Sequence, residues 1–195
     1  HDANLCGSLG QVSEADKALD VLLEYQRTHP DTLIVVTSDH GHATQIVRPG
    51  EAKAYGTVQT ADGDPLTVGY NTSSSSQWHT GTSVPIAAKG PQAANVTGTL
   101  DQTDLYTLLK GTLTRERTAE IEASLNADKP RNTVVLLLDG FDHQLMTAGR
   151  NYELGADGRF EFDKLPFWGQ MTTHGLLPGT GPTYGINYVN DSAAT

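Results

Sequence analysis

Two uninterrupted apolar runs constrain the fold of this chain more than any other feature of its sequence. The first covers Thr32 to Thr37 and the second Thr133 to Leu138, and both are rich in Val, Ile and Leu. Continuous apolar runs of this length are typical of strands that are buried on both faces of a sheet. Ser13 to Gln26 shows helix-like apolar spacing before the first run. We therefore expect an α/β fold with a central, mostly parallel sheet flanked by helices.

Composition limits the size and the partners of this fold. The chain has 195 residues, a formal net charge of -10 and 37% hydrophobic residues. At roughly 150 residues per domain, this length corresponds to one domain or slightly more. The acidic balance argues against nucleic acid or an anionic membrane surface as the main partner. No apolar run approaches the roughly 20 residues that a membrane-spanning helix needs, and no signal peptide is recognisable.

Local patterns predict further elements, although none is predicted between Arg48 and Ser83, where Gly, Asp, Thr and Ser dominate. The remaining predictions are a strand at Val84–Gly90, a helix with Asp101 as its N-cap, a charged helix at Thr114–Leu125, a helix at about Asp142–Leu154 and a strand at Gly169–Leu177.

A carboxylate follows each of the two apolar runs. Asp39 lies two residues after the first run, and Asp139 directly follows the second. Functional sites of open parallel sheets form outside the carboxyl ends of the strands. An Asp at such a position needs either the N–H groups of a helix terminus or a cation as its partner. Each Asp is therefore either a cap or turn residue or part of a functional site.

The sequence Asp39-His40-Gly41-His42 places one carboxylate and two imidazoles within four residues. Carboxylate oxygen and imidazole nitrogen together are ligands that zinc accepts, so the motif indicates a metal site. A solvated turn that contains histidines by chance is the competing interpretation. His79, after a Ser-rich stretch, is a weaker candidate, because a surface His fits that pattern equally well. His1 indicates still less by itself.

Ser192 lies in the sequence Asp191-Ser192-Ala193-Ala194, at an expected helix start. Either Asp191 or Ser192 caps that helix, as these residue types often do. Alternatively, the Ser192 hydroxyl lies where helix N–H groups favour an anion such as a phosphoryl group. A serine hydroxyl is a weak nucleophile unless a base or a metal lowers its pKa.

These clusters together resemble the motifs of the bacterial alkaline phosphatase family, and the resemblance covers essentially the whole chain. The matching segments are Thr37–Ala43, His79–Gly81 with Val84–Ala87, Asp101–Leu105, Lys129–Gly140 with Thr147–Tyr152, and Val189–Ala194. Their order differs from that of the family. Residues 1–112 resemble its C-terminal part and residues 113–195 its N-terminal part, with the join near Gly111. We expect the two segments to form part of one α/β domain whose middle is absent, through either circular permutation or sequence assembly.

The resemblance implies a site with two zinc ions and one magnesium ion. It implies that His1 and His79 bind the first zinc, and that Asp39, His40 and Asp139 bind the second, with Asp139 bridging towards magnesium. His42 matches a histidine that orients a zinc-binding carboxylate, and Ser192 matches the nucleophile that becomes phosphoserine. The remaining metal ligands and the phosphate-binding Arg of the family match no residue of this chain.

Two positions depart from the family motif beside the expected metal ligands. Leu138 stands where the family has a Gly before the bridging Asp, and Asp142 replaces another Gly two residues after Gly140. Both departures alter backbone freedom near the metal, but neither removes a ligand. Cys6 matches one half of a family disulfide whose partner lies in the absent middle, so the resemblance implies an unpaired thiol.

The function implied by the resemblance is zinc-dependent hydrolysis of small-molecule phosphate monoesters. Relatives of this kind are periplasmic or secreted homodimers, so the same is expected here. The alternative is an inactive metal-binding fragment that requires the missing middle or a complementary chain. A sulfatase or phosphodiesterase of the wider superfamily is a further possibility, against which the match around Ser192 argues.

Overall fold

The computed structural model describes residues 4–50, 54–70, 78–110, 130, 132–177 and 185–189. Three α-helices lie in these ranges: α1 (Leu5–Thr28), α2 (Asp104–Leu109) and α3 (His143–Leu154). Two short 3-10 helices cover Ala93–Val96 and Phe162–Lys164. The strands are β1 (Thr32–Ser38), β2 (Gly41–His42), β3 (Gln45–Val47), β4 (Ala54–Gln59), β5 (Pro65–Gly69), β6 (His79–Thr80), β7 (Val84–Lys89), β8 (Gly98–Asp101), β9 (Asn132–Leu138), β10 (Phe167–Thr172), β11 (Gly175–Leu176) and β12 (Ile186–Asn187).

Five of these strands form the central sheet, in the order β8-β10-β7-β1-β9. The pairs β1–β9 and β10–β8 are parallel, whereas β1–β7 and β10–β7 are antiparallel. The predicted α/β class with flanking helices is therefore confirmed. The described strands make the sheet mixed rather than mostly parallel, because β7 runs against both of its neighbours.

Strand β1 shows why its sequence is apolar without interruption. Its seven residues are all buried, and alternate side chains enter different cores. Ile34 and Val36 belong to the core beneath α1 and α3, while Leu33 and Val35 belong to the core beneath α2. A strand between two cores buries both of its faces, as the continuous run predicts.

Strand β9 differs from the prediction of a second buried strand. It lies at the edge of the five described strands, and most of its residues are only partly buried. The side chain of Leu137 is 55% exposed. The apolar run therefore predicts the strand correctly but not its position, since an edge strand has a neighbour on one side only.

Helices α1 and α3 pack against each other on one face of the sheet. Asn4 caps α1, its side chain accepting a hydrogen bond from the Gly7 N–H at 3.0 Å. The helix consequently begins eight residues before the predicted start at Ser13, and its early turns bury Leu5, Leu9 and Val12. On α3, Leu145 and Ala148 are buried against the same core. This packing makes the start of α3 a firm support for the loop that follows β9.

The structure agrees only in part with the other elements predicted from the sequence. The helix near Asp101 is α2, but Thr103 occupies its N-cap position, and the Asp101 carboxylate instead accepts hydrogen bonds from Thr103 N and Oγ1. The predicted strand Gly169–Leu177 is divided into β10 and β11. Strands β4 and β5 lie in the stretch for which no element was predicted. The helix predicted at Thr114–Leu125 and the join near Gly111 lie outside the described residues. No helix in the described ranges is long and apolar enough to cross a membrane.

Candidate metal centre

The pairing of β1 with β9 brings Asp39 and Asp139 to one place. The two strands are parallel and in register from Thr32 beside Asn132 to Ser38 beside Leu138. Because both strands end at the same level, the residues that follow them emerge together at one edge of the sheet. The backbone pairing of seven positions is therefore sufficient to bring the two carboxylates close together.

His40 lies between these carboxylates. Its Nε2 atom is 3.2 Å from Asp139 Oδ1 and 3.6 Å from Asp39 Oδ2. Its side chain is 1% exposed, whereas that of Asp139 is 58% exposed. The other ring nitrogen, Nδ1, lies 3.2 Å from the Gly41 carbonyl oxygen. Ligand atoms of Asp39, His40 and Asp139 all lie within 4.8 Å of one another, close enough for one metal ion.

Backbone N–H groups fix the Asp39 carboxylate. Its Oδ1 atom accepts hydrogen bonds from His40 N at 3.0 Å and from Gly140 N at 3.2 Å. The second of these donors belongs to the loop after β9, so the carboxylate links the ends of both strands. Oδ2, which lies 3.6 Å from His40 Nε2, is thereby turned towards the imidazole.

Ser38 connects the same two strand ends through its hydroxyl group. The Oγ atom accepts a hydrogen bond from Phe141 N at 2.9 Å and lies within hydrogen-bond distance of the carbonyl oxygens of His40 and Leu138. Ser38 is not among the site residues that the sequence predicts. Its position directly before the Asp-His motif is a signal that could have indicated a structural one.

A second, much shorter strand pairing places His79. Strands β2 and β6 contain two residues each and pair antiparallel, with His42 beside His79. The Thr80 hydroxyl donates to the His42 carbonyl oxygen at 3.2 Å. The His79 ring stacks on His40 with centroids 3.7 Å apart, and its centroid lies 5.4 Å from that of His42. His40, His42 and His79 form a second group whose ligand atoms lie within 4.8 Å of one another.

Electrostatics keeps one of these imidazoles neutral. Burial lowers the pKa of His42 to about 4, and the neighbouring His40 acts in the same direction. His42 is therefore uncharged at neutral pH, which is the protonation state in which an imidazole nitrogen can bind a metal.

Gly140 makes room for the His42 ring. Its φ angle is +70°, and a Cβ atom added there would lie 2.3 Å from His42 Cε1. Only glycine combines this left-handed backbone with such a close approach. The glycine after Asp139 is thus required both by the turn that ends β9 and by the histidine that faces it.

Asp142 is a site residue whose role the sequence did not reveal. It caps α3 through Oδ1, which accepts from Gln144 N and Leu145 N, while Oδ2 accepts from His42 N at 3.2 Å. Burial raises the pKa of Asp142 to about 6, although these N–H donors act against the rise. An Asp at the start of a helical pattern signals a cap, but the bond to His42 has no counterpart in local sequence.

A cavity of about 220 Å³ adjoins the two groups. His42 and Asp139 contribute to one part of its wall, and the remainder includes Val12, Phe141 and Leu145. Pockets for drug-sized ligands are commonly about 300–1,000 Å³, so this space suits a smaller organic group.

The structure therefore brings together five of the predicted site residues: Asp39, His40, His42, His79 and Asp139. His1 and Ser192 lie outside the described residues. Cys6 is exposed and carries a free thiol, as expected for the only cysteine of the chain.

The fold and this cluster define an α/β protein with a carboxylate–histidine centre at the carboxyl ends of two parallel strands. Over 117 residues the chain is related to bacterial alkaline phosphatases. It is 46% identical to alkaline phosphatase H of Pseudomonas aeruginosa over 58% of this chain and 24% of that protein. It is 45% identical to alkaline phosphatase of Escherichia coli over the same share of this chain and 25% of that protein.

The name of a further relative specifies one phosphate ester. Streptomycin-6-phosphate phosphatase of Streptomyces griseus is 43% identical over 111 residues, which are 54% of this chain and 24% of that protein. The chain thus spans about a quarter of the length of the curated relatives it matches. No protein-family model matches it, and no solved structure does. The predicted relationship to bacterial alkaline phosphatases is confirmed by these relatives.

Proposed function

We propose that this chain carries the metal-binding part of a phosphomonoester hydrolase of the alkaline phosphatase type. In this proposal Ser192 is the nucleophile, and the cofactors are two zinc ions and one magnesium ion. The observation that supports it most is the position of Asp39 and Asp139, both within 3.6 Å of the same ring nitrogen of His40. The names of the related phosphatases support phosphate esters as the substrate class.

The donor atoms fit zinc. Imidazole nitrogen and carboxylate oxygen are both common zinc ligands, and each of the two groups offers three such atoms within 4.8 Å. The carboxylates of Asp39 and Asp139 lie within 3.6 Å of the same ring nitrogen, and a cation bound there would compensate their negative charge. We therefore assign Asp39, His40 and Asp139 to one zinc ion, and His79, with His1, to the other.

The orientation of the rings favours two ions over one. A metal bound by an imidazole lies close to the plane of its ring, along the nitrogen lone pair. The His40 and His79 rings are stacked, with centroids 3.7 Å apart and planes inclined by 29°. Their lone pairs therefore lie in separate, nearly parallel planes. This arrangement suits a division of the two histidines between neighbouring ions more than a single ion bound by His40, His42 and His79.

Bound zinc would supply Lewis-acid activation of a hydroxyl nucleophile and would neutralise charge that develops on the phosphoryl group. The chain's own residues provide the rigidity that such chemistry needs. Asp39 is held by two N–H groups, and His40 is enclosed between strand ends that are paired in register. Asp139, with 58% of its side chain exposed, would be the ligand shared with the proposed magnesium ion.

The alternative is a metal-binding fragment without activity of its own. The exposure of Asp139 favours this alternative, because a ligand in a complete active site is usually enclosed by further residues. The chain also spans only about a quarter of its relatives. In this case the 195 residues would bind zinc but would need a complementary polypeptide to hydrolyse a substrate.

Hydrolysis of p-nitrophenyl phosphate at alkaline pH, with zinc and magnesium added, tests both possibilities. The proposal expects turnover that Ser192→Ala abolishes, whereas Ser83→Ala, which alters a serine outside the site, leaves it unchanged. Zinc should be counted in the same samples by metal analysis after dialysis. Bound zinc without turnover supports the inactive fragment, and absence of both rejects the metal centre. Turnover of p-nitrophenyl sulfate in preference to the phosphate would indicate a sulfatase instead.

The remaining proposals concern the whole protein. We propose that residues 1–112 and 113–195 correspond to the C-terminal and N-terminal parts of the family and belong to one domain. We further propose that the protein acts on small phosphate monoesters as a periplasmic or secreted homodimer. A single cooperative unfolding transition would support one domain, and the mass of the purified polypeptide shows whether a middle segment is present. Size by light scattering tests the homodimer.

A further inference from the structure

The two carboxylate oxygens of Asp142 accept hydrogen bonds from two different segments of the chain. Oδ1 accepts hydrogen bonds from the N–H groups of Gln144 at 2.9 Å and Leu145 at 2.8 Å, which caps α3. Oδ2 accepts from the His42 N–H at 3.2 Å, in a segment 100 residues away along the chain. The side chain is 3% exposed. A single buried carboxylate therefore links a helix start to the histidine cluster.

The link to His42 exceeds what a helix cap requires. One side-chain oxygen is sufficient to cap a helix, and Ser or Asn does so about as well as Asp. Burial of a full carboxylate disfavours its charged form, so its second oxygen needs a partner of its own. The His42 N–H is that partner. The choice of Asp at this position is explained by the contact with His42 and not by the cap alone.

The described strand pairing of His42 is short. Its strand, β2, contains two residues, which pair with the two residues of β6. Helix α3, by contrast, buries Leu145 and Ala148 in the core that it shares with α1. The bond from Asp142 therefore ties a two-residue strand to a firmly packed helix.

We propose that Asp142 is a positioning residue for the histidine cluster, fixing the His42 backbone on the start of α3 so that His42 and its strand partner His79 keep the spacing needed for metal binding. The metal-binding part of this inference rests on the proposed function. The backbone-fixing part does not.

Gln144 provides a matched comparison on the same helix turn. Its Oε1 atom accepts a hydrogen bond from Ile46 N at 3.2 Å, so it also ties α3 to the segment that follows β2. Ile46 is four residues beyond His42, in β3, and belongs to neither of the two groups of possible metal ligands. Loss of this contact removes a similar link without reaching the cluster.

The test uses Asp142→Asn, Asp142→Ser and Gln144→Ala in the full chain. Asn is nearly isosteric and retains the cap, but it presents an NH2 group to the His42 N–H when its oxygen faces α3. Ser retains the cap and is too short to reach His42. Thermal unfolding checks that each variant folds, and only variants that unfold cooperatively are compared.

Two measurements decide the outcome. The first is amide hydrogen exchange in the metal-free chain, where both Asp142 variants should lose protection at His42 by about tenfold or more while the amides of β1 keep theirs. The second is Zn²⁺ affinity from competition with a chromophoric chelator, which should fall about 10- to 100-fold, as is usual when the support of a metal ligand is lost. Gln144→Ala should leave both quantities unchanged.

Each contrary result has a defined meaning. Unchanged protection at His42 in both Asp142 variants overturns the proposal, whatever the zinc affinity does. Lost protection with unchanged zinc affinity also overturns it, since the cluster then does not depend on this support. If the wild-type chain binds no zinc, the proposed function fails, whereas lost protection in the variants would still establish Asp142 as the residue that fixes His42.

Discussion

The two halves of the candidate site are held in different ways. Asp39 and Asp139 follow strands that pair in register over seven positions, and the strand between the two cores is wholly buried. His42 and His79 meet through two strands of two residues each. The first half is thus a consequence of the central sheet. The second depends on individual contacts, namely those of Gly140, Thr80 and Asp142 with His42.

This difference predicts which part of the site should be more sensitive to substitution. In the carboxylate half, a lost contact leaves strand pairing to keep the remaining ligands in place. In the histidine half, the strand pairing covers only two residues on each side, so loss of one of the contacts with His42 should shift the histidines more easily. The first half should therefore tolerate changes around its ligands better than the second.

Removal of a ligand should have the largest effect and should separate the halves. We expect His79→Ala and His40→Ala each to lower affinity for one zinc ion by more than about 100-fold, beyond the 10- to 100-fold typical of supporting residues. Each variant should keep one ion, because the halves serve different ions in the proposal. Metal analysis after equilibrium dialysis measures this, with His29→Ala, at the far end of α1, as the control. Loss of both ions in either variant would mean that the halves act as one centre.

Gly140→Ala should destabilise the protein by about 3 kcal/mol, since a left-handed non-glycine residue costs about 1–3 kcal/mol and the added Cβ also meets the His42 ring. Gly50→Ala is the matched control. Its φ angle is +83°, but nothing lies within 4 Å of the added atom, so only the backbone cost of about 1 kcal/mol should remain. Urea unfolding of both variants measures the difference. Equal losses would show that His42 does not press on Gly140.

The contrast between the halves also explains what the sequence could predict. The runs that form β1 and β9 are long enough to be recognised, and the carboxylates after them could be placed together because parallel strands end at one edge. A two-residue strand has no periodicity, so nothing local pairs His42 with His79. His79 was only a weak candidate from its local sequence, and the family resemblance supplied its expected role as a ligand. The hydrogen bond between His42 and Asp142 joins residues 100 positions apart, which no local pattern encodes.

The missed elements have equally physical reasons. Strands β4 and β5 mix apolar residues with Thr, Gly and Gln, a composition that resembles a loop. Leu66 and Val68 of β5 are nevertheless buried, because they pack into the core beneath α1 and α3. The start of α1 was missed because its cap, Asn4, precedes a stretch with two glycines. The edge position of β9 depends on which strands lie beside it, and an apolar run carries no information about its neighbours.

The pH dependence of stability should distinguish the two groups that meet at His42. The pKa of His42 is lowered to about 4, so between pH 4 and 6.5 the unfolded chain binds more protons and this histidine makes stability rise with pH. The pKa of Asp142 is raised to about 6, so between pH 4 and 6 the folded chain binds more protons and this carboxyl makes stability fall with pH. The two contributions oppose each other in the wild type.

Asp142→Asn removes the contribution of the Asp142 carboxyl to the pH dependence of stability. Between pH 6 and 4 the variant should lose on the order of 2–3 kcal/mol more stability than the wild type, because one pKa unit corresponds to about 1.4 kcal/mol. His42→Asn should show the opposite change over the same window. Urea unfolding in the presence of EDTA, at several pH values, gives both curves free of metal. Parallel curves for the wild type and Asp142→Asn would contradict the raised pKa.

The smallest effects should come from two matched hydroxyl groups, one in each half. The Thr37 hydroxyl donates to the Pro85 carbonyl oxygen at 3.1 Å inside the sheet, and the Thr80 hydroxyl donates to the His42 carbonyl oxygen at 3.2 Å. Replacement of either Thr by the isosteric Val removes one hydrogen bond and should cost about 1 kcal/mol of stability.

Zinc affinity should distinguish the two variants. Thr80→Val should weaken binding several-fold because β2 and β6 pair over only two residues each, whereas Thr37→Val should leave binding unchanged because six neighbouring strand positions keep their register. Equal zinc affinities for the two variants at equal loss of stability would show that the short pairing of His42 with His79 is as well supported as the sheet.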